Sequence, residues 1–177
     1  MLEKFLITNK NFYNNIDSNL SYAKNLGVNK LYLRDKNLNL EILKAFKESC
    51  DKYNIRIFIN YIPRFLSYNT DGIHLKSTEL HLIINIKNLA NSYKISYSAH
   101  NFSDIQKAYD MGVDYIFISP IFFVKDKGIP LGVEFIDKIP LYMRSKIFAL
   151  GGINKYNINK LQNLKIRGIA GIRMFLQ

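Results

Sequence analysis

The chain contains one cysteine, Cys50, and no grouping of Cys and His at the spacing of zinc ligands. A lone thiol excludes an intramolecular disulfide framework, so a reducing, cytoplasmic setting is expected. No apolar run approaches the roughly 18 to 20 residues needed to cross a bilayer, and Met1 to Lys10 lacks the uninterrupted apolar core of a signal peptide. A membrane partner is therefore not expected. Acidic residues are also scarce, 14 against 25 basic, which leaves a formal charge of +11. Lys supplies 19 of the 25, scattered over the whole length with no run of four basic residues. Abundant Asn, Ile, Tyr and Phe point to A/T-rich codon usage as a source of that excess. A nucleic-acid partner is accordingly not expected, and a small anionic substrate fits better.

Nothing in the 177 residues divides them: there is no linker, internal repeat or low-complexity tract. One domain, 1–177, follows, long enough to bury roughly 70% of its extended surface without a structural metal. Short β-rich runs alternate with longer helical stretches. The strands are expected at Lys4 to Thr8, Lys30 to Arg34, Ile55 to Asn60, Gly72 to Leu75, Lys94 to Ser98, Asp114 to Ser119, Ile147 to Leu150 and Gly168 to Ile172. Apolar residues at helical spacing predict helices over Ser18 to Leu26, Leu40 to Tyr53, Ser103 to Met111 and Asn154 to Leu164, with Gly27 and Gly112 as C-terminal caps. The stretches after the third and fourth strands are too short or irregular for full helices, and Pro63 closely follows the third strand. This alternation predicts an α/β fold, a compact (β/α)8 TIM barrel with shortened helices. A doubly wound open sheet is the competing architecture.

In such a barrel the residues just beyond the strand C-termini build the active site, because the loops converge there. Those positions carry Arg34, Lys36, Asn60, His74, Lys76, Ser98, His100, Ser119 and Arg173. The mouth should be cationic. Ile57, Ile59, Ile116 and Ile118 inside the strands read as core. After the seventh strand, Gly151 and Gly152 precede Asn154 at the head of the expected helix, a combination suited to phosphate because the backbone can approach closely and the N–H groups are free. A tight structural turn is the competing explanation. Gly171 is expected in the neighbouring turn after the eighth strand.

Leu31-Tyr32-Leu33-Arg34-Asp35-Lys36, Ile59-Asn60, Asp71-Gly72-Ile73-His74-Leu75, Ser98-Ala99-His100-Asn101, Gly112-Val113-Asp114-Tyr115-Ile116 after Ala108, Ser119-Pro120-Ile121-Phe122, Lys127 and Ala149-Leu150-Gly151-Gly152-Ile153 occur in that order. Together they resemble the thiamine-phosphate synthase and TenI superfamily. The resemblance spans nearly the whole chain and is strongest from Ser98 to Ile153. It implies a transferase of thiamine biosynthesis that joins a hydroxymethylpyrimidine diphosphate to a thiazole phosphate with release of diphosphate, using magnesium. It also implies that Arg34, Lys36, Asn60, Ser98 and Lys127 contact the diphosphate, while Gly151 and Gly152 hold the thiazole phosphate. Gly171 and Arg173 are expected to line the same substrate site.

Several positions depart from the family pattern. Tyr61 replaces one magnesium-ligand aspartate, and Lys76-Ser77-Thr78-Glu79 replaces the context of the second, leaving Glu79 as its only stand-in. Glu79 is longer, which alters the geometry a small octahedral ion demands. Tyr32 and Lys125 replace a family Gln and Thr. Lys76, where the family has Gly, is expected to supply positive charge in place of the metal. A TenI-like thiazole tautomerase needs a general acid/base, and its His after the sixth strand is Pro120 here. His100 is the best-placed histidine for such chemistry, with a structural hydrogen-bonding role as the alternative. His74 sits in a motif position suited to packing, and His81 has no matching context. A non-catalytic phosphate-binding member is the third class. The sequence leaves the oligomeric state open, including a homodimer.

Overall fold

A computed structural model describes residues 1–89 and 93–176. Eight parallel strands close into a barrel in sequence order: β1 (Glu3–Ile7), β2 (Val28–Leu33), β3 (Arg56–Asn60), β4 (Gly72–Leu75), β5 (Lys94–Ala99), β6 (Tyr115–Ile118), β7 (Ile147–Leu150) and β8 (Gly168–Gly171). β8 returns to pair with β1, Glu3 opposite Gly168 and Leu6 opposite Gly171. The helices are α1 (Ile16–Asn25), α2 (Leu40–Lys52), α3 (Leu82–Leu89), α4 (Phe102–Asp110), α5 (Val133–Asp137) and α6 (Leu141–Arg144). The abundant asparagines serve as caps: Asn15, Asn39 and Asn101 accept from the N–H groups of Ser18, Ile42 and Asp104. Each satisfies a donor that the first helical turn leaves free, worth about 1 kcal/mol. Gly27, at φ +84°, ends α1 by donating to the carbonyl of Lys24 at 2.8 Å.

Alternation along the strands separates two apolar clusters. Leu31, Ile57, Ile59, Ile116 and Ile118 belong to the cluster shared with the helices, alongside Leu20, Leu43, Phe46 and Ile105. Cys50 lies in that cluster, and burial, reinforced by Asp51 and Asp71, raises its thiol pKa, which makes it inert. The barrel interior is instead aromatic. Phe5, Phe58, Tyr115, Phe117 and Phe148 pack edge to face with centroids 4.9 to 6.2 Å apart. Two glycines make the room: a Cβ on Gly72 would lie 2.1 Å from the ring of Phe58, and one on Gly168 would lie 2.6 Å from Phe148.

Below these rings the strand N-termini hold an ion cluster. Lys30 is fully buried, bonds the Glu3 carboxylate and lies over Tyr115, 5.3 Å from its centroid; Arg167 reaches the other Glu3 oxygen at 2.7 Å. Burial holds the Lys30 pKa below its usual range despite that pairing. For Glu3, burial acts upward, but the Lys30 and Arg167 contacts outweigh it and hold its pKa low.

Four local expectations need correction. Asn154 to Leu164 is not an α-helix; turns lead into a 3-10 segment at Ile158–Leu161. The cause is side-chain competition for the backbone: Asn157 Oδ1 accepts from Asn154 N–H, Asn154 Oδ1 accepts from Tyr156 N–H, and Asn157 Nδ2 donates to Gly152 O. Gly151 and Gly152 therefore do not precede a helix N-terminus. A helix does follow the fourth strand, α3, where Ile83 and Ile86 are buried at helical spacing although the Ile-rich run favours strand by propensity. Between β6 and β7 lie α5 and α6, which local periodicity did not announce because neither exceeds five residues. Gly171 closes β8 itself, paired with Leu6, and is not in the following turn. After β3 there is only a short 3-10 turn, Pro63–Phe65, as expected.

Candidate functional site at the C-terminal mouth

The β2 end is anchored before it is functional. The buried Thr8 hydroxyl accepts from Arg34 N–H at 3.0 Å, which leaves the guanidinium exposed just past the strand. Lys36, two residues on, is exposed, and so is Lys127 on the loop of residues 119–132 after β6. Arg173 opens a 3-10 turn directly after Ile172 and is exposed. Among the described residues, the side chains of Arg34, Lys36, Lys127 and Arg173 have no ion-pair partner. The βα loops thus carry uncompensated positive charge, an environment that attracts and neutralises phosphates.

Asn60 is at the β3 end but is held by the protein. Its Oδ1 accepts from the Tyr32 hydroxyl and its Nδ2 donates to Asp35 O at 3.0 Å. Asp35 is fixed in turn by the Tyr13 hydroxyl and by Asn37 N–H. Burial, together with the Asp35 carboxylate, raises the Tyr13 pKa, so the phenol stays protonated as donor. Half of the Asn60 amide's hydrogen-bonding capacity remains for a ligand.

Lys76 and Glu79 engage each other. Lys76 N–H donates to Glu79 Oε2 at 2.9 Å and its ammonium donates to Oε1 at 3.1 Å. Each carboxylate oxygen thus accepts one hydrogen bond from Lys76, and Tyr61 offers a phenol where the resemblance requires an acid. Among the described residues there is no group of three or more His, Cys, Asp or Glu able to hold a metal ion. The residues present do not fit the two-carboxylate magnesium site that the resemblance implies.

His74 is nearly inaccessible, 3% exposed, and lies between the rings of Tyr32 and Phe117 at 4.1 and 5.1 Å. Its Nδ1 is 2.9 Å from Ser96 Oγ and its Nε2 is 2.9 Å from Ser98 Oγ. Burial first, then the charges of Arg34 and Lys76, push its pKa down to about 3. His74 is therefore neutral at ordinary pH. The pairing of β4 with β5 sets His74 opposite Ser96, and Ser98, one inward step further along, reaches the mouth half-exposed. Sequence reasoning missed Ser96 and Tyr32 as parts of this network. The spacing of Ser96 and Ser98 on one strand face was the available signal; the histidine they share comes from another strand. His100 is exposed at the β5 end, with Nδ1 3.3 Å from Ser119 O.

Gly151 and Gly152 adopt φ +94° and +69°. A Cβ on Gly151 would lie 2.9 Å from Pro120, and one on Gly152 would lie 2.7 Å from Phe123 O, so the β6 loop covers this turn closely. That loop is tied down by Ile121 N–H to Leu150 O and Phe122 N–H to Gly151 O. Among the described residues the N–H groups of Gly152 and Ile153 have no intramolecular acceptor, which leaves donors for an anion despite the missing helix. Gly171 is buried beneath Met174.

A cavity of ≈540 Å³ lies elsewhere, lined by Leu43, Lys44, Lys47, Tyr68 and Thr70 beside α2. None of the mouth residues borders it. No helix among the described residues is long and apolar enough to cross a membrane.

Residues 5–175 match the family described as thiamine monophosphate synthase. A thiamine-phosphate synthase of Clostridium tetani is 33% identical over 157 residues, covering 85% of this chain and 75% of that protein. One from Prochlorococcus marinus is 34% identical over 136 residues, covering 75% of this chain; the match spans only 39% of that longer relative. Among solved structures, a thiamine phosphate pyrophosphorylase from Pyrococcus furiosus superposes with a TM-score of 0.78 at 22% identity, over 97% of this chain and 85% of that one, which is a likeness of fold.

Proposed function

We propose that this chain, which belongs to the thiamine monophosphate synthase family, joins a hydroxymethylpyrimidine diphosphate to a thiazole phosphate, releasing diphosphate and forming thiamine phosphate. The observation that carries the proposal is the set of cations Arg34, Lys36, Lys127 and Arg173, without an ion-pair partner among the described residues, on the loops around one barrel mouth. The C–O bond to the diphosphate breaks with its electron pair leaving on the diphosphate oxygen. The pyrimidine methylene becomes a cation stabilised by the ring's amino group, and the thiazole nitrogen lone pair closes the new C–N bond. No proton need be removed, so the protein's task is to neutralise the leaving anion and hold the nucleophile in line. Arg34, Lys36 and Lys127 take the first role. The N–H groups of Gly152 and Ile153, with Arg173, hold the thiazole phosphate. Because the carboxylates do not fit a family-type metal site, no step is assigned to magnesium.

His100 favours the second reading, a thiazole tautomerase, because an exposed imidazole at the mouth is suited to proton transfer. Incubation with both synthase substrates, with and without magnesium, tests the proposal by formation of thiamine phosphate. Its absence under both conditions, together with turnover in a tautomerase assay, would transfer the assignment to the second reading.

A further inference from the structure

Asp35 stands between Arg34 and Lys36, and a carboxylate flanked by two flexible cations is their nearest rival to a bound anion. Paired with either one, it would cancel half of the positive charge that this loop offers. The structure turns it away from both. Arg34 and Lys36 are exposed, whereas Asp35 is half-buried. The Tyr13 hydroxyl donates to its Oδ2 at 2.5 Å, and Asn37 N–H donates to its Oδ1 at 2.8 Å. Among the described residues, none of Arg34, Asp35 and Lys36 takes part in an ion pair. The Asn37 contact is local, the side chain bonding its own backbone two residues on. Tyr13 comes from 22 residues away, in the 3-10 segment Lys10–Asn15 after β1. Its ring packs edge to face on Phe46 of α2, centroids 5.4 Å apart, so packing aims the hydroxyl independently of its acceptor.

We infer that Tyr13 is a positioning residue for the diphosphate: its hydroxyl captures the Asp35 carboxylate and so keeps the charges of Arg34 and Lys36 available to the substrate. This rests on the proposed synthase reading. A phenol suits the task, because a hydrogen bond to a carboxylate is stronger than one between neutral groups and brings no further cation to compete for the anion. The backbone of the loop is held separately, by Thr8 on Arg34 N–H and by Asn60 on Asp35 O. Tyr13 therefore governs where the acid points and not whether the loop forms. Without its hydroxyl, Oδ2 loses its donor, and the nearest replacements are the guanidinium and ammonium on either side.

Calorimetry with inorganic diphosphate on the whole chain, in the presence of a chelator, tests this. Tyr13→Phe keeps the ring on Phe46 and removes only the hydroxyl. It should weaken diphosphate binding about three- to fivefold, the effect of one exposed ion pair formed in competition. Adding Asp35→Asn to that variant should restore affinity to within about twofold of wild type, because an amide cannot neutralise a cation. If the hydroxyl only shaped the fold, the double variant would stay as weak as the single one; that result, or wild-type affinity in Tyr13→Phe, would overturn the inference. Should Tyr13→Phe fail to fold, Asp35→Asn alone decides the matter. Its affinity should equal or exceed that of wild type, and a weaker one would sink the idea. Absence of thiamine phosphate formation by the wild-type protein, with the diphosphate results as expected, would count against the synthase reading alone.

Discussion

Lys76 and Glu79 close a ring on themselves, the carboxylate taking both the backbone N–H and the ammonium of the same lysine. The pair occupies two groups from which the site would otherwise draw, a cation for diphosphate and an acid for a metal. It is an open arrangement, with the Lys76 side chain 60% exposed, and such surface pairs are worth only about 0 to 1 kcal/mol. An arriving anion can therefore recruit Lys76, at the cost of breaking the ring. Glu79→Gln should tighten diphosphate binding roughly two- to fivefold in the presence of a chelator, because it removes a competing pair worth up to about 1 kcal/mol. Unchanged affinity would mean that Lys76 points into water and takes no part.

Lys127 has no competing partner of this kind among the described residues. Its replacement by Ala should lower turnover by about two to three powers of ten, the usual cost of removing one preorganised charged donor. Circular dichroism would check that the fold is intact, and wild-type turnover in that folded variant would exclude the role.

Gly152 joins two loops, since any side chain there must displace Phe122 or Phe123. Gly152→Val should weaken thiazole phosphate binding at least tenfold and also lower stability by about 1 to 3 kcal/mol through the φ of +69° and the clash. Equilibrium denaturation and calorimetry separate the effects. A stability loss with full phosphate affinity would make the turn structural only.

His74 sets an acid limit. Its pKa is about 3 when folded and near 6.5 when exposed, so between these values the unfolded chain binds a proton that the folded chain refuses. Stability is consequently lost as pH falls from 6.5 toward 3, by about 5 kcal/mol in all, and no further below that. In His74→Gln this share of the pH dependence should vanish. Parallel denaturation curves for the two proteins at pH 7 and pH 4 would measure it, and identical pH slopes would contradict it.

Much of the barrel was legible locally. The eight β-rich runs lie within two residues of the strand ends, and Leu40–Lys52 and Phe102–Asp110 show helical spacing behind Asn39 and Asn101, because periodicity and capping depend on neighbouring residues. The same logic identified the strand-end cations. It failed at Asn154 to Leu164, where apolar spacing suggested a helix but asparagine side chains captured the backbone first.

Closure of the barrel could be anticipated from alternating strands and helices, but which groups meet inside it could not. His74 meets Ser96 and Ser98 from 22 and 24 residues away, and Tyr32 meets Asn60 from 28. Only the register between β4 and β5, and the burial that strips water from the imidazole, decide that His74 is a neutral link in a hydroxyl chain and not a free base. Local chemistry put the polar residues at the mouth; parallel pairing of distant strands determined which of them are already engaged and which remain for a ligand.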